Sequence, residues 1–183
     1  MPEAVRTCLW RAAGDRPGFA VLDGARDENL LAALQADGAP PWRCLFAGEL
    51  DPDMALVAPY LVELDPHGAF TQRLLREGWG QHRGVFVASA QPLPALWRHL
   101  RAQTGVYGPD LEPLFFRFYD PRVLRHTLPT CDARQLLEFF GPVTCFVAED
   151  EDPGLALAWS LADGRLVAQC IDGREPGRPA RSA

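Results

Sequence analysis

The chain has no lysine; all 18 of its basic residues are arginine. A phosphate-cradling Walker-A lysine, a Schiff-base lysine and a lysine general base are thereby excluded. Serine is nearly as scarce. Only Ser89, Ser160 and Ser182 occur, and none stands in a G-x-S-x-G nucleophile elbow. G-x-G-x-x-G is absent too, so a dinucleotide fingerprint is missing. The five cysteines (8, 44, 131, 145 and 170) are odd in number and form no C-x-x-C pair. They read as inert thiols in a reducing, cytoplasmic setting. His67, His82, His99 and His126 are equally dispersed, so no zinc site, no other metal and no cofactor is expected. No run of about 18 apolar residues exists to cross a membrane. The first residues lack the basic-then-apolar order of a signal peptide. A net charge of −6 argues against a nucleic-acid partner.

What is present is the mix of a soluble globule: 183 residues, 48% hydrophobic and 23% charged. That length buries a core without staples. Short apolar runs at 19–23, 43–48, 60–64, 84–89, 113–120 and 142–150 read as strands. Between them, 27–36, 51–58, 68–77, 93–103, 121–128 and 132–140 carry helical spacing. Leu93, Leu96, Trp97 and Leu100 give the strongest stripe. Asp132 and Gln135 have the spacing of a capping box. Residues 155–171 read as a hairpin turning at Asp163-Gly164. The alternation predicts an α/β fold: a layered, mixed or mostly parallel sheet flanked by helices, with a short C-terminal hairpin. A single domain is expected over 1–172, with a disordered Gly- and Pro-rich tail over 173–183.

Four Asp-Pro steps recur, at 51–52, 65–66, 120–121 and 152–153. Asp caps a helix, and proline at its first position lacks a donor that would be unpaired anyway. The step at 120–121 closes "FRFYDPRVL", where Arg117 interrupts an aromatic run. If 113–120 is a strand, Phe116 and Phe118 face one way and Phe115, Arg117 and Tyr119 the other. A guanidinium so placed needs an acid partner. Asp23, Glu49, Glu63, Asp65, Asp120 and Glu149 lie in or just after predicted strands. Arg117, Tyr119, Asp120, Glu49 and Asp23 are therefore grouped as one polar cluster at the strand carboxyl ends, where open α/β sheets bind ligands. It is either a salt bridge fixing the scaffold or a polar crevice. In the second case a carboxylate pair acting by general acid–base catalysis is the alternative. A nucleotide-binding domain rests on layer order alone. In "EGWGQHRG" (77–84), Gly78 suits a helix C′ position with Trp79 folding back. Trp79 is otherwise an aromatic anchor for a partner.

The segments "AVLDGARDENLLAAL", "CLFAGELDPDMALVAPYLVEL", "FTQRLLREGWGQHRGVFVAS", "LFFRFYDPRVLRHTLPTCDARQLLEFFGPV" and "FVAEDED" follow in order from about residue 19 to 152. Together they resemble the bacterial domain of unknown function 4123 family. The resemblance implies an adaptor chaperone of the type VI secretion system. Such a protein is no enzyme: it binds an effector toxin and helps load it onto the valine–glycine-repeat spike protein. The implied partners are therefore the effector and the spike, with neither nucleic acid nor membrane. Trp79, Tyr60, Leu61, Trp42 and Arg122 are the partner-binding residues the adaptor reading nominates. Family members often continue with helical sequence past "FGPV", where this chain has only a hairpin and a tail.

Overall fold

The computed structural model describes residues 2–14, 16–107, 110 and 112–173. Its centre is a seven-stranded sheet in the order β2-β3-β1-β4-β7-β8-β9. The strands are β1 (Gly18–Asp23), β2 (Trp42–Cys44), β3 (Pro59–Leu64), β4 (Gly84–Ser89), β7 (Val143–Glu149), β8 (Leu155–Ala162) and β9 (Arg165–Asp172). A separate two-stranded ribbon pairs β5 (Gly105–Tyr107) with β6 (Pro113–Phe115).

Every neighbouring pair in the main sheet is antiparallel. This corrects the expectation of a mixed or mostly parallel sheet. Two pairs of helix-joined strands do run the same way, with an antiparallel strand inserted between them: β3 and β4 both oppose β1, and β1 and β2 both oppose β3. Two others, β2 with β3 and β4 with β7, are joined through helices yet pair directly and antiparallel. Alternating strand and helix segments therefore fix neither the direction of successive strands nor which strand lies between, and both are decided by pairings remote in sequence. One end of the sheet, here called the upper end, therefore gathers the carboxyl ends of β1 and β7 with the amino ends of β3 and β4.

The inner strands β1, β3, β4 and β7 are almost continuously apolar because both of their faces are covered, whereas β9 at the sheet edge is mostly open. On one face Phe19, Val21, Leu61, Val85, Val87, Phe146 and Trp159 pack against α5 (Leu93–Ala102), α6 (Pro121–Thr127) and α7 (Ala133–Phe140). On the other, Ala20, Leu22, Tyr60, Val62, Leu64, Phe86 and Val147 meet α1 (Pro2–Ala13), α2 (Leu30–Gln35) and α4 (Ala69–Glu77). The period of two along each strand sorts its residues between these cores. The helix α3 (Pro52–Val57) buries none of its side chains. Among the described residues no helix is long and apolar enough to cross a membrane.

Several local signals hold. Asp132 and Gln135 form a full capping box, each side chain accepting the other residue's backbone N–H at 2.8 Å. The β8–β9 turn has Asp163 and Gly164 both at positive φ, 51° and 72°, as a tight twisted hairpin turn requires. That hairpin is not an appendage, because β8 pairs with β7 and extends the main sheet. Helix α1 was not foreseen; Val5, Leu9 and Ala13, four apart, are its buried stripe. The proposed tail lies outside the described residues except for Gly173.

The larger correction concerns 113–120. Only Pro113–Phe115 is strand, and it pairs with β5 away from the main sheet. Residues 116–119 form an irregular segment held by aromatic packing. Phe116 and Phe118 lie 6.0 and 5.7 Å from the Phe139 ring, which stacks on Phe146 at 5.1 Å. Phe118 and Tyr119 are both buried although adjacent, so strand alternation does not operate here. Each such ring pair contributes about 1 kcal/mol beyond its burial, which ties "FRFY" to "FFGPV".

Candidate functional site

The upper end of the sheet carries the polar cluster. Strand β1 delivers Asp23 there with its side chain 1% exposed. One carboxylate oxygen accepts the N–H of Ala25 at 3.1 Å and so caps the 3-10 turn Gly24–Arg26. The other accepts Nη2 of Arg117 at 2.5 Å. Burial opposes the Arg117 charge, but the Asp23 carboxylate outweighs it and raises the guanidinium pKa. The guanidinium is 45% exposed and rides over the Tyr119 ring at 5.8 Å. Burial, with the Asp23 charge beside it, pushes the Tyr119 hydroxyl up to about 12. Tyr119 is thus a neutral hydrogen-bonding group at physiological pH.

Asp120 ends the aromatic segment and starts α6. Its Oδ1 accepts the backbone N–H and the Nε of Arg122, and its Oδ2 accepts Nη2 at 2.6 Å. Burial works against its charge, yet these Arg122 bonds win and hold its carboxyl below the ordinary range. Asp27 accepts Nη1 of Arg83 at 2.5 Å. Arg125 donates to the Glu149 carbonyl at 3.0 Å and reaches Asp150 and Glu151 at 3.9 and 3.4 Å. Glu149, at the end of β7, is 4% exposed. Burial raises its pKa, opposed by the His82 N–H bonded to Oε2 at 3.1 Å. The His82 ring nitrogen Nδ1 lies 2.9 Å from the same oxygen, at ion-pair distance but without hydrogen-bond alignment. The rim is a chain of acid–base pairs fixing the strand ends to α6 and to the loop before β4. Among the described residues no three His, Cys, Asp or Glu side chains come together as metal ligands.

Glycine is demanded at two positions of this rim: a Cβ on Gly84, at the start of β4, would stand 2.2 Å from the Val21 carbonyl oxygen. A Cβ on Gly24 would stand 2.5 Å from the Leu56 carbonyl oxygen and 2.7 Å from that of Ala58. The 3-10 turn therefore lies flat against the end of α3, with the Gly24 N–H donating to Ala58 at 3.0 Å. "LDGAR" thus places Asp23 for Arg117 through a backbone contact that no side chain tolerates.

The structure brings together Arg117, Tyr119, Asp120 and Asp23 as the sequence indicated, with Arg122 beside them. It does not bring Glu49, which is exposed in the loop before α3 and makes no ion pair among the described residues. Glu63 and Asp65 lie at the opposite end, because β3 runs downward. Tyr60 and Leu61 are interior, 2% and 0% exposed, and offer no surface; the Tyr60 hydroxyl donates to the Ala55 carbonyl at 2.6 Å. Trp42 is half-buried, edge-on to Tyr60. Trp79 is also half-buried, stacked on Phe86, with its N–H donating to the Pro153 carbonyl at 3.0 Å. The pairs His82–Glu149, Arg83–Asp27 and Arg125–Asp150 escaped sequence reasoning. The signal lay in "GQHRG", where His82 takes φ 53° and turns His82 and Arg83 to different acids. Among the described residues the large apolar side chains most open to solvent are Phe115 at 78% and Leu137 on α7 at 57%. Leu114, Val167 on β9, and Met54, Leu56 and Val57 on α3 are 43 to 46% exposed. Phe115 leans on Phe46 at 5.7 Å.

No curated protein and no solved structure matches the chain. A family model described as a domain of unknown function, DUF4123, matches residues 18–138. The matched span runs from the first residue of β1 into α7, and so takes in Asp23, Gly24, Arg117 and Asp120. The chain belongs to the DUF4123 family.

Proposed function

We propose that the chain is a non-catalytic adaptor that binds a type VI secretion effector and helps load it onto the valine–glycine-repeat spike protein, working in the bacterial cytoplasm. Family membership supports the reading. The observation that carries it is the state of the rim. Asp23, Asp27, Asp120, Glu149 and Asp150 each have a positively charged or ring-nitrogen partner. Paired charges hold a scaffold, whereas a reactive carboxylate pair needs room for substrate between its members. The apolar groups are instead turned outward: Phe115 with Phe46, and the α3 face of Met54 and Val57. Exposed aromatic and aliphatic clusters of this kind anchor partner proteins.

Co-expression with a candidate effector and a spike protein from the same genome tests the reading. The complex should survive affinity purification in mild salt, and Phe115→Asp should release the effector without lowering the melting temperature. Retention of neither protein by a folded chain would refute it. The competing reading, a small carboxylate-dependent hydrolase, has one specific support in Glu149, a buried acid of raised pKa beside His82. Turnover of an ester or amide that disappears in Glu149→Gln, with the fold kept, would favour that reading instead.

A further inference from the structure

The arginines of the upper rim are occupied by acids: Arg83, Arg117, Arg122 and Arg125 each meet a carboxylate. At the β2 edge of the sheet the pattern is reversed. Arg43, the middle residue of β2, sits on the face covered by α5, because its register partner Leu61 belongs to that core. Its guanidinium carbon lies over the Trp97 ring, 5.3 Å from the centroid. Arg101, one turn after Trp97 on α5, lies over the same ring at 5.0 Å. Trp97 is held in place. Its Nε1–H donates to the Cys44 carbonyl at 2.6 Å, and its ring packs against the core. Because β2 is the outermost strand, the pair opens to solvent, with Arg43 exposed and Arg101 half-buried.

The two guanidinium carbons are no more than about 10 Å apart. Like charges held that close repel. Yet among the described residues neither has a carboxylate within ion-pair distance. Asp37 and Glu49, which flank β2 in the sequence, pair with neither. In a chain of net charge −6, this is a local exception. A ring beneath a guanidinium positions it without consuming its N–H donors, and neither arginine donates a side-chain hydrogen bond among the described residues. Two planar forks are thus positioned and unoccupied, the state in which taking up carboxylates costs least ordering. Acids two apart on a strand or four apart on a helix have stems about 5 to 7 Å apart, within the span of the forks. A long polyanion would also feel the acidic remainder of the chain, whereas a short acidic segment feels chiefly the local pair.

We infer that the surface formed by Arg43, Trp97 and Arg101 at the β2 edge docks an acidic segment of a partner polypeptide, the two guanidinium forks taking its carboxylates. Arginine clusters recognise acidic motifs in this way. The surface is distinct from the apolar contact through Phe115 and α3, and the inference does not depend on the adaptor reading.

The test is fluorescence anisotropy of labelled peptides with the full chain. The acidic probe is about ten residues long, with Asp or Glu at half of its positions. Its counterpart carries Asn and Gln there, and a single-stranded DNA of equal charge is the third probe. The acidic peptide should bind and its amide counterpart should not. Raising the ionic strength about tenfold should weaken the acidic complex severalfold. Arg43→Gln and Arg101→Gln should each weaken binding about threefold, and together about tenfold, with thermal melts showing each variant folded. Arg165→Gln removes the same charge from β9, at the opposite edge of the sheet, and should leave the affinity unchanged. No binding of the acidic peptide, equal binding of the amide peptide, tighter binding of the DNA, or unchanged affinity in the folded arginine variants would overturn the inference. So would a loss in Arg165→Gln as large as that in Arg43→Gln.

Discussion

Asp120 accepts three bonds from Arg122 while capping α6, so one side chain ends an irregular segment and starts a helix. Asp120→Ala should lower stability by about 1–2 kcal/mol in urea unfolding, chiefly through the lost cap. Its pKa is depressed in the folded state, so its contribution is present above the ordinary value of 3.8 and is lost as pH falls through the lower folded value. Asp120→Asn should therefore reduce the loss of stability below about pH 4. Glu149 works with the opposite sign. Its folded pKa is raised above 4.5, so the native state holds the proton more tightly. Stability falls as pH rises from 4.5 through the folded value. Glu149→Gln should flatten that part of the Tm-against-pH curve. Gly24→Ala should destabilise by about 1–3 kcal/mol, because the added methyl meets two carbonyl oxygens of the backbone; an unchanged urea midpoint would refute the account of that contact.

Among the elements, those with local causes were legible in the sequence. The capping box over Asp132 and Gln135, the Asp163-Gly164 turn and the Asp120-Pro121 helix start each depend on neighbours a few residues away. Gly164→Ala should cost about 1 kcal/mol, since φ is 72° there and only glycine adopts it freely. What the sequence withheld was non-local. Strand β1 inserts between β3 and β4, and no period along the chain encodes that order. The segment 116–119 has the composition of a strand, but it takes its shape from Phe139 and Phe146, residues more than twenty positions away. That Arg117 needs an acid was legible all the same, because a guanidinium beside buried aromatics needs a partner whatever the backbone does; which of the six candidate acids it meets, Asp23, is set by the fold. Glu49 was misplaced for that reason: only the fold separates acids that end strands pointing up from acids in exposed loops. Arg117→Met should destabilise by about 1–3 kcal/mol, with Asp23 left nearly unexposed and keeping only its bond from Ala25. Arg117→Lys should rescue part of that loss, as a point charge without the guanidinium's planar fork.

At the scale of the whole molecule, an acidic chain whose basic groups are all arginine has its upper rim closed by ion pairs, with exposed apolar groups of α3 and Phe115 beside it. Capture of a partner through Phe115 and α3 should then depend weakly on salt, since apolar contacts are not screened. Raising the salt severalfold should leave the affinity of an effector complex within about threefold, and a steep loss would point to the charged rim as the contact. The matched span ends at residue 138, but β7, β8 and β9 lie beyond it and β7 seals the flank of β4. A chain cut at that boundary would leave the inner strand Val85–Val87 with raw amide and carbonyl groups along a fully greasy border. Such borders zip onto one another, so the excised piece should precipitate or form fibres while the uncut chain stays dispersed.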